Sequence, residues 1–315
     1  MYTYRNRETI LRNPTFAECR YLLTEKLHRA EFLDPIKNDI TQFVEANIQD
    51  MLIKNEYQRN IEFVKPNKWF ETLLVNINLR NKTTENGVKK DAINYFNESN
   101  IGENGKLVKP SINVNMLIDE KGKVNNLFIP IFIDHEITHL YDDWRWMSKG
   151  HDSLCNIPKT TNGVNMMEIG EYQKNKLLWI IGFGCYLSAY TEENSFISQT
   201  VSELRRINAK ESNIKKKLRT TISFRNYHKF LIDIKYFIEN CDNNQIGYTN
   251  FIIYNNFKKS GAPYIVPKKF DVNHYKEKIA LWAQNIWVHF IKRYVGIVQY
   301  YLDDRRNDRL RRGWV

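Results

Sequence analysis

Two stretches that alternate between apolar and polar residues constrain the fold of this chain more than any other feature. They are Glu71–Arg80 (ETLLVNINLR) and Ser111–Asp119 (SINVNMLID). A period of two places every second side chain on the same face of a strand, so both stretches are predicted to form β-strands with one buried face. The flanking segments show helical spacing instead. The sequence therefore predicts an α+β fold, with a small mixed sheet between N- and C-terminal helical extensions.

Changes in periodicity divide the chain further. Asn81–Lys109, between the two strands, is polar and contains three glycines, and is predicted to be a loop around one short helix. Asp119–Lys123 is predicted to form a turn into a short strand near Val124–Phe128. Residues after Pro130 are predicted to be mostly helical. The sequence therefore predicts three regions. Residues 1–62 form an N-terminal helical region, residues 63–210 form a metal-binding domain that contains the sheet, and residues 211–315 form a C-terminal helical region.

The composition is typical of a folded protein. Hydrophobic residues make up 42% of the 315 residues, which excludes wholesale disorder. No apolar run reaches the roughly 20 residues that span a bilayer, and no signal peptide is visible, so we expect neither a membrane partner nor export by that route. The four cysteines are far apart, which favours reduced thiols over a disulfide framework.

The formal net charge is +11, with basic residues concentrated in Val201–Thr220 and in the last thirteen residues, DDRRNDRLRRGWV. Such stretches can contact phosphates, and they predict weak nucleic-acid contact through a basic surface. The alternative is that they are solvated helix faces, because aspartates lie among the arginines of the last stretch at near-helical spacing.

One motif carries chemistry. Residues 135–139 read His-Glu-Ile-Thr-His, an H-E-x-x-H pattern within an otherwise apolar predicted helix. Residues four apart lie on the same face of a helix, so His135 and His139 could bind one metal ion. Glu136 lies about 100 degrees around the helix from His135, where its carboxylate could act as a general base. The alternative is that both histidines are core residues with hydrogen-bond partners.

Catalytic zinc needs a third protein ligand beside an open position. The extended metzincin motif would require Gly at 142 and His at 145, and Asp142 and Arg145 exclude it. A predicted helix after the apolar run Leu177–Tyr190 carries two adjacent glutamates. Glu192 is the predicted third ligand, and Glu193 is the alternative.

On these residues the chain resembles a zincin of the gluzincin type, with two strands, an H-E-x-x-H helix and a downstream glutamate helix over roughly residues 65–210. More narrowly, HEITHLYDDW followed by SAYTEENSFISQ is similar to zincin-like proteins of tailed phages of gut bacteria, the crAss-like group among them. The resemblance implies a zincin-like core in which His135, His139 and Glu192 bind one Zn²⁺ per chain and Glu136 is the catalytic base.

The chain departs from the well-studied gluzincins in its supporting residues. Those proteins often have an acidic residue four positions after the ligand glutamate, whereas this chain has Phe196. Other residues must then orient the ligands. The candidates for this role are Asp134, Asp142, Asp143 and Asn194, and the candidate hydrogen-bond donors to a transition state are Tyr141, Tyr172, Tyr190 and His228.

The resulting prediction is a zinc-dependent hydrolase, a metallopeptidase acting on a peptide or protein substrate. The substrate is predicted to lie along Ser111–Asp119, because extended peptides add to exposed strand edges. The alternative is a virion structural or cargo protein whose zincin-like domain is structural or inactive and whose partners are virion proteins. The predicted location is accordingly the host-cell cytoplasm or the virion. A third reading is a nucleic-acid-binding protein in which the motif is accidental.

Overall fold

The structure is a computed structural model that describes residues 36–81, 91–98, 100–154, 158–210 and 212–311, except for side chains at residues 158–160, 190, 191, 193, 194 and at several positions from 295 onward. The described residues fall into two compact units, which we call the sheet unit and the helical unit. The sheet unit comprises those within His28–Cys155, and the helical unit comprises those within Asn156–Val315.

The sheet unit contains four strands and two described helices, and the class is α+β as predicted. The elements are α1 (36–54), β1 (Gln58–Phe63), β2 (Leu73–Asn81), β3 (Ala92–Phe96), β4 (Ser111–Ile118) and α2 (Ile129–Met147). Their order in the sheet is β1-β2-β4-β3, with β2 parallel to β4 and the two outer strands antiparallel to their neighbours. The sheet is therefore mixed, as the sequence predicts.

The two strands predicted from alternation are confirmed as β2 and β4. Every second side chain of each is buried, including Val75 and Ile77 on β2 and Ile112 and Val114 on β4. Helix α2 packs on this sheet through Ile133 and other residues at helical spacing. The buried apolar residues of the two strands and of the helix thus form one hydrophobic core.

Three sequence predictions in this unit are wrong. The segment predicted to be a loop with a short helix contains the strand β3. The predicted strand near Val124–Phe128 is reduced to a single bridge between Ile118 and Val124. β4 is paired with β2 on one side and, over Ser111–Asn115, with β3 on the other, so this part of the strand offers no open edge for a substrate, contrary to our expectation for Ser111–Asp119. β3 is the outer strand on that side among the described residues.

The helical unit contains seven α-helices and one short 3₁₀ turn within its described residues. They are α3 (Pro158–Tyr172), α4 (Lys176–Leu187), α5 (Tyr190–Arg206), α6 (Ile214–Leu218), α7 (Ile222–Asn240), α8 (Asn243–Asn256), the 3₁₀ turn Pro267–Lys269 and α9 (Val272–Arg311). Aromatic residues at helical spacing on α9 pack inside this unit, as predicted, including Trp287 and Phe290 against Phe224 of α7. None of the described helices combines the length and the apolarity needed to cross a bilayer.

Helices α3 and α4 pack closely because glycines face each other. A Cβ atom on Gly182 would lie 2.7 Å from the carbonyl oxygen of Gly163 and 2.8 Å from the Cβ atom of Met166. Backbone atoms cannot move aside as the end of a flexible side chain can, so any side chain at this position must push the helices apart.

We expect Gly182→Ala to lower the free energy of unfolding by about 1–3 kcal/mol. Gly247→Ala on α8 is the matched control, because a Cβ atom there meets Phe270 at an ordinary 3.6 Å. That control should raise the free energy of unfolding by about 0.5–1 kcal/mol, since glycine is unfavourable inside a helix. Urea unfolding of both variants measures the two effects, and equal effects in the two variants would contradict the close packing of α3 on α4.

Candidate metal centre

The H-E-x-x-H residues lie in the middle of α2, and the reasons are local. Pro130 occupies the first turn of the helix, where its missing N–H costs nothing. Ile129, Ile133 and Ile137 are fully buried and hold one face of the helix on the sheet. This anchorage fixes the rotation of α2, and with it the directions in which His135 and His139 project.

The two histidines converge on one point. Their Nε2 atoms lie 3.1 Å apart, and their rings are 4.8 Å apart at an interplanar angle of 75°. With Zn–N distances of about 2.0–2.1 Å, two nitrogens in a tetrahedral site lie roughly 3.3 Å apart. The observed spacing therefore fits two ligands of one metal ion. It also fits a hydrogen bond between the two imidazole rings in complementary tautomers. A measurement of bound metal distinguishes a shared metal ion from such a hydrogen bond.

Glu136 lies beside the histidine pair. Its Oε1 atom is 4.0 Å from Nε2 of His135, and its Oε2 atom accepts a hydrogen bond of 2.7 Å from the backbone N–H of Tyr95 on β3. Ligand atoms of His135, Glu136 and His139 all lie within 4.8 Å of one another. His135 and Glu136 are only 5% and 8% exposed, so water is scarce around them. Such a set of imidazole and carboxylate groups suits a divalent metal such as zinc.

The acidic residues predicted to support the site have distinct surroundings. Asp134, next to His135, forms a buried ion pair with Lys37 of α1. Asp142 is buried. Asp143 is fully buried and accepts hydrogen bonds from the hydroxyl of Tyr95 (2.8 Å) and the amide of Asn97 (2.5 Å), among others. Asp134 and Asp143 therefore tie α2 to α1 and to the outer strand.

The remaining candidates belong to other surroundings. Tyr141 of α2 packs against Trp144. In the helical unit, Glu192 is a buried residue of α5, His228 packs between Phe224 and Trp287, and Tyr172 is 90% exposed. The side chains of Glu193, Tyr190 and Asn194 lie outside the described residues. The roles predicted for all of these residues stay predictions.

Sequence reasoning missed Tyr95 and Asn97, which contact Glu136 and Asp143. The stretch Ala92–Phe96 has only five residues, and its apolar positions Ile93 and Tyr95 give two periods of alternation. That signal was present but too short to outweigh the polar surroundings.

Comparison of the chain with protein-family models, with curated proteins and with solved structures gives no match.

Proposed function

We propose that this chain is a metal-dependent hydrolase, and specifically a zinc metallopeptidase. The observation that carries the proposal is the convergence of the His135 and His139 Nε2 atoms, 3.1 Å apart, beside the carboxylate of Glu136. His135 and Glu136 are buried and His139 is half-buried, and two imidazole nitrogens at this spacing beside a carboxylate are typical of a metal site. A divalent cation bound by His135 and His139 would lie next to the carboxylate of Glu136.

His135 and His139 would hold the metal, and Glu192 stays the predicted third ligand. When bound, zinc polarises a scissile carbonyl and acidifies water. Glu136 would accept the proton of the attacking water and then donate it to the leaving amine. Its Oε1 atom is the one available for this role on the histidine side, since Oε2 accepts from Tyr95.

The outer strand supports a peptide as the substrate. Tyr95 lies in β3, the outer strand of the described sheet, and its backbone contacts Glu136. Extended peptides bind by adding to the edge of a sheet, and a peptide in that position would run past Glu136. The place proposed for the substrate is therefore β3, in contrast to the β4 edge predicted from the sequence.

The proposal is tested first by bound metal per chain, measured by elemental mass spectrometry. We expect near-stoichiometric zinc in the wild type. His135→Ala and His139→Ala should each lower the zinc affinity by more than about 100-fold, because even the loss of a residue that only hydrogen-bonds to a metal ligand lowers the affinity by about 10–100-fold. His151→Ala, an exposed histidine of the same unit, is the control and should keep the metal.

The same measurement tests the third ligand. If Glu192 is the third ligand, as the sequence predicts, Glu192→Ala loses zinc, whereas Glu239→Ala, at an exposed glutamate of the helical unit, keeps it. A wild type that takes up no metal when zinc is offered would overturn the proposal and leave the histidines as a hydrogen-bonded pair. Stoichiometric zinc without hydrolysis of any peptide would instead favour the alternative of a structural virion protein.

A further inference from the structure

A single buried carboxylate connects α2 to the outer strand and to the loop after the helix. Asp143 is fully buried. Besides the hydroxyl of Tyr95 and the amide of Asn97, it accepts hydrogen bonds from the hydroxyl of Ser153 (3.1 Å) and from the backbone N–H of Leu154 (2.6 Å). Four donors around one carboxylate stabilise its charge inside the core.

Tyr95 is contacted at two points by the same helix. Its hydroxyl donates to Asp143, and its backbone N–H donates to Glu136. The two acidic residues are seven positions apart, which is about two helical turns, so they lie on the same face of α2. Tyr95 thus spans two turns of the helix, with its ring buried between the two contacts.

These two contacts give the oxygens of Glu136 different surroundings. Oε2 is held by the Tyr95 amide at 2.7 Å, and Oε1 lies 4.0 Å from Nε2 of His135. A glutamate side chain has three rotatable bonds, and a fixed hydrogen bond to one oxygen restricts where the other can point. The direction of Oε1 therefore depends on where β3 holds the amide of residue 95.

We propose that Asp143 and Tyr95 are positioning residues for Glu136. Asp143 anchors the ring of Tyr95, the anchored residue presents its backbone N–H to Oε2, and Oε1 is thereby aimed at the histidine pair. The catalytic meaning of this arrangement rests on the proposed function, but the coupling between Asp143 and the Tyr95 amide does not.

The coupling is tested by residue-resolved amide exchange in Tyr95→Phe, which removes only the hydroxyl. Because the Tyr95 N–H points to Glu136, the N–H groups of Asn94 and Phe96 point to β4 in an antiparallel ladder. We expect the amide of residue 95 to exchange about tenfold faster than in the wild type, the equivalent of one hydrogen bond. The amides of Asn94 and Phe96 should be unchanged.

Two other patterns of exchange would overturn the proposal. If the three amides accelerate together, Asp143 merely holds the strand in place; if none accelerates, the ring contact does not influence the amide. Asp143→Asn, which keeps the shape of the side chain, should reproduce the selective effect. Tyr57→Phe, at a half-exposed tyrosine of the same unit, should alter no amide of β3.

A second readout separates this proposal from the proposed function. In Tyr95→Phe we expect unchanged zinc per chain and unchanged KM, with kcat for peptide hydrolysis about tenfold lower, because only the orientation of Glu136 is altered. An unchanged kcat together with a selectively faster amide would overturn the positioning role in catalysis. If the wild type hydrolyses no peptide at all, the proposed function fails, and the exchange experiment still decides whether Asp143 and Tyr95 fix Glu136.

Discussion

Glu136→Gln is expected to lower kcat for peptide hydrolysis by about 10²–10⁴-fold, the contribution of a general base, while zinc per chain stays at the wild-type value. Glutamine has nearly the same shape, and its Oε1 atom can accept the hydrogen bond that the Tyr95 amide donates to Glu136. It cannot accept a proton from water, so only the chemical step is affected.

The measurement is steady-state hydrolysis of a fluorogenic peptide library, normalised to bound metal. Glu120→Gln, an exposed glutamate in the turn after β4, is the control and should retain wild-type kcat. Wild-type activity in Glu136→Gln would remove Glu136 from the role of base. Loss of zinc in the same variant would indicate that its carboxylate belongs to the metal-binding set.

The parts of the fold that sequence could predict are those set by local periodicity. β2 and β4 each bury four alternating apolar residues, and the helical spacing in α2 puts His135 and His139 on one face. Both signals are complete within about ten residues. The convergence of the two imidazoles follows from this local geometry alone.

The parts that sequence could not predict depend on pairing between distant segments. Nothing in Ser111–Ile118 indicates that it is paired on both sides, because inner and outer strands can share the same alternation. Tyr95 is 41 residues from Glu136 along the chain, and their contact depends on the position of β3 in the sheet. The base could thus be predicted from the motif, whereas the residues that hold it could not.

The second large effect concerns Glu203 of α5, which is 7% exposed in the helical unit. Its oxygens accept hydrogen bonds from the backbone N–H of Ile222 (2.8 Å) and from the amide of Gln199 (3.2 Å). Burial raises the pKa of Glu203 from 4.5 to about 7, because these hydrogen bonds and the charge of Arg225 only partly offset the loss of water.

This pKa makes the stability of the folded state dependent on pH. Between pH 4.5 and about 7 the folded chain binds a proton at Glu203 that the unfolded chain does not. The stabilisation that this extra proton gives to the folded state is complete below pH 4.5 and is lost as the pH rises through 7. The difference in pKa corresponds to about 3 kcal/mol. Burial also raises the pKa of Tyr294, a neighbouring titratable group, above its usual range, so Tyr294 stays neutral over this pH interval.

We therefore expect Glu203→Gln to be more stable than the wild type at pH 8, by up to about 3 kcal/mol in the free energy of unfolding, and nearly equal to it at pH 4.5. Glutamine is a neutral substitute for the protonated acid. Its oxygen can accept from Ile222 while Gln199 turns its own amide to accept from the new NH₂ group. The measurement is urea unfolding of both proteins across this pH range.

Glu239→Gln, at an exposed position of α7, is the control and should follow the wild-type curve at every pH. A variant at Glu203 that is less stable than the wild type at pH 8 would show that the buried carboxylate is charged and stabilised by Ile222 and Arg225.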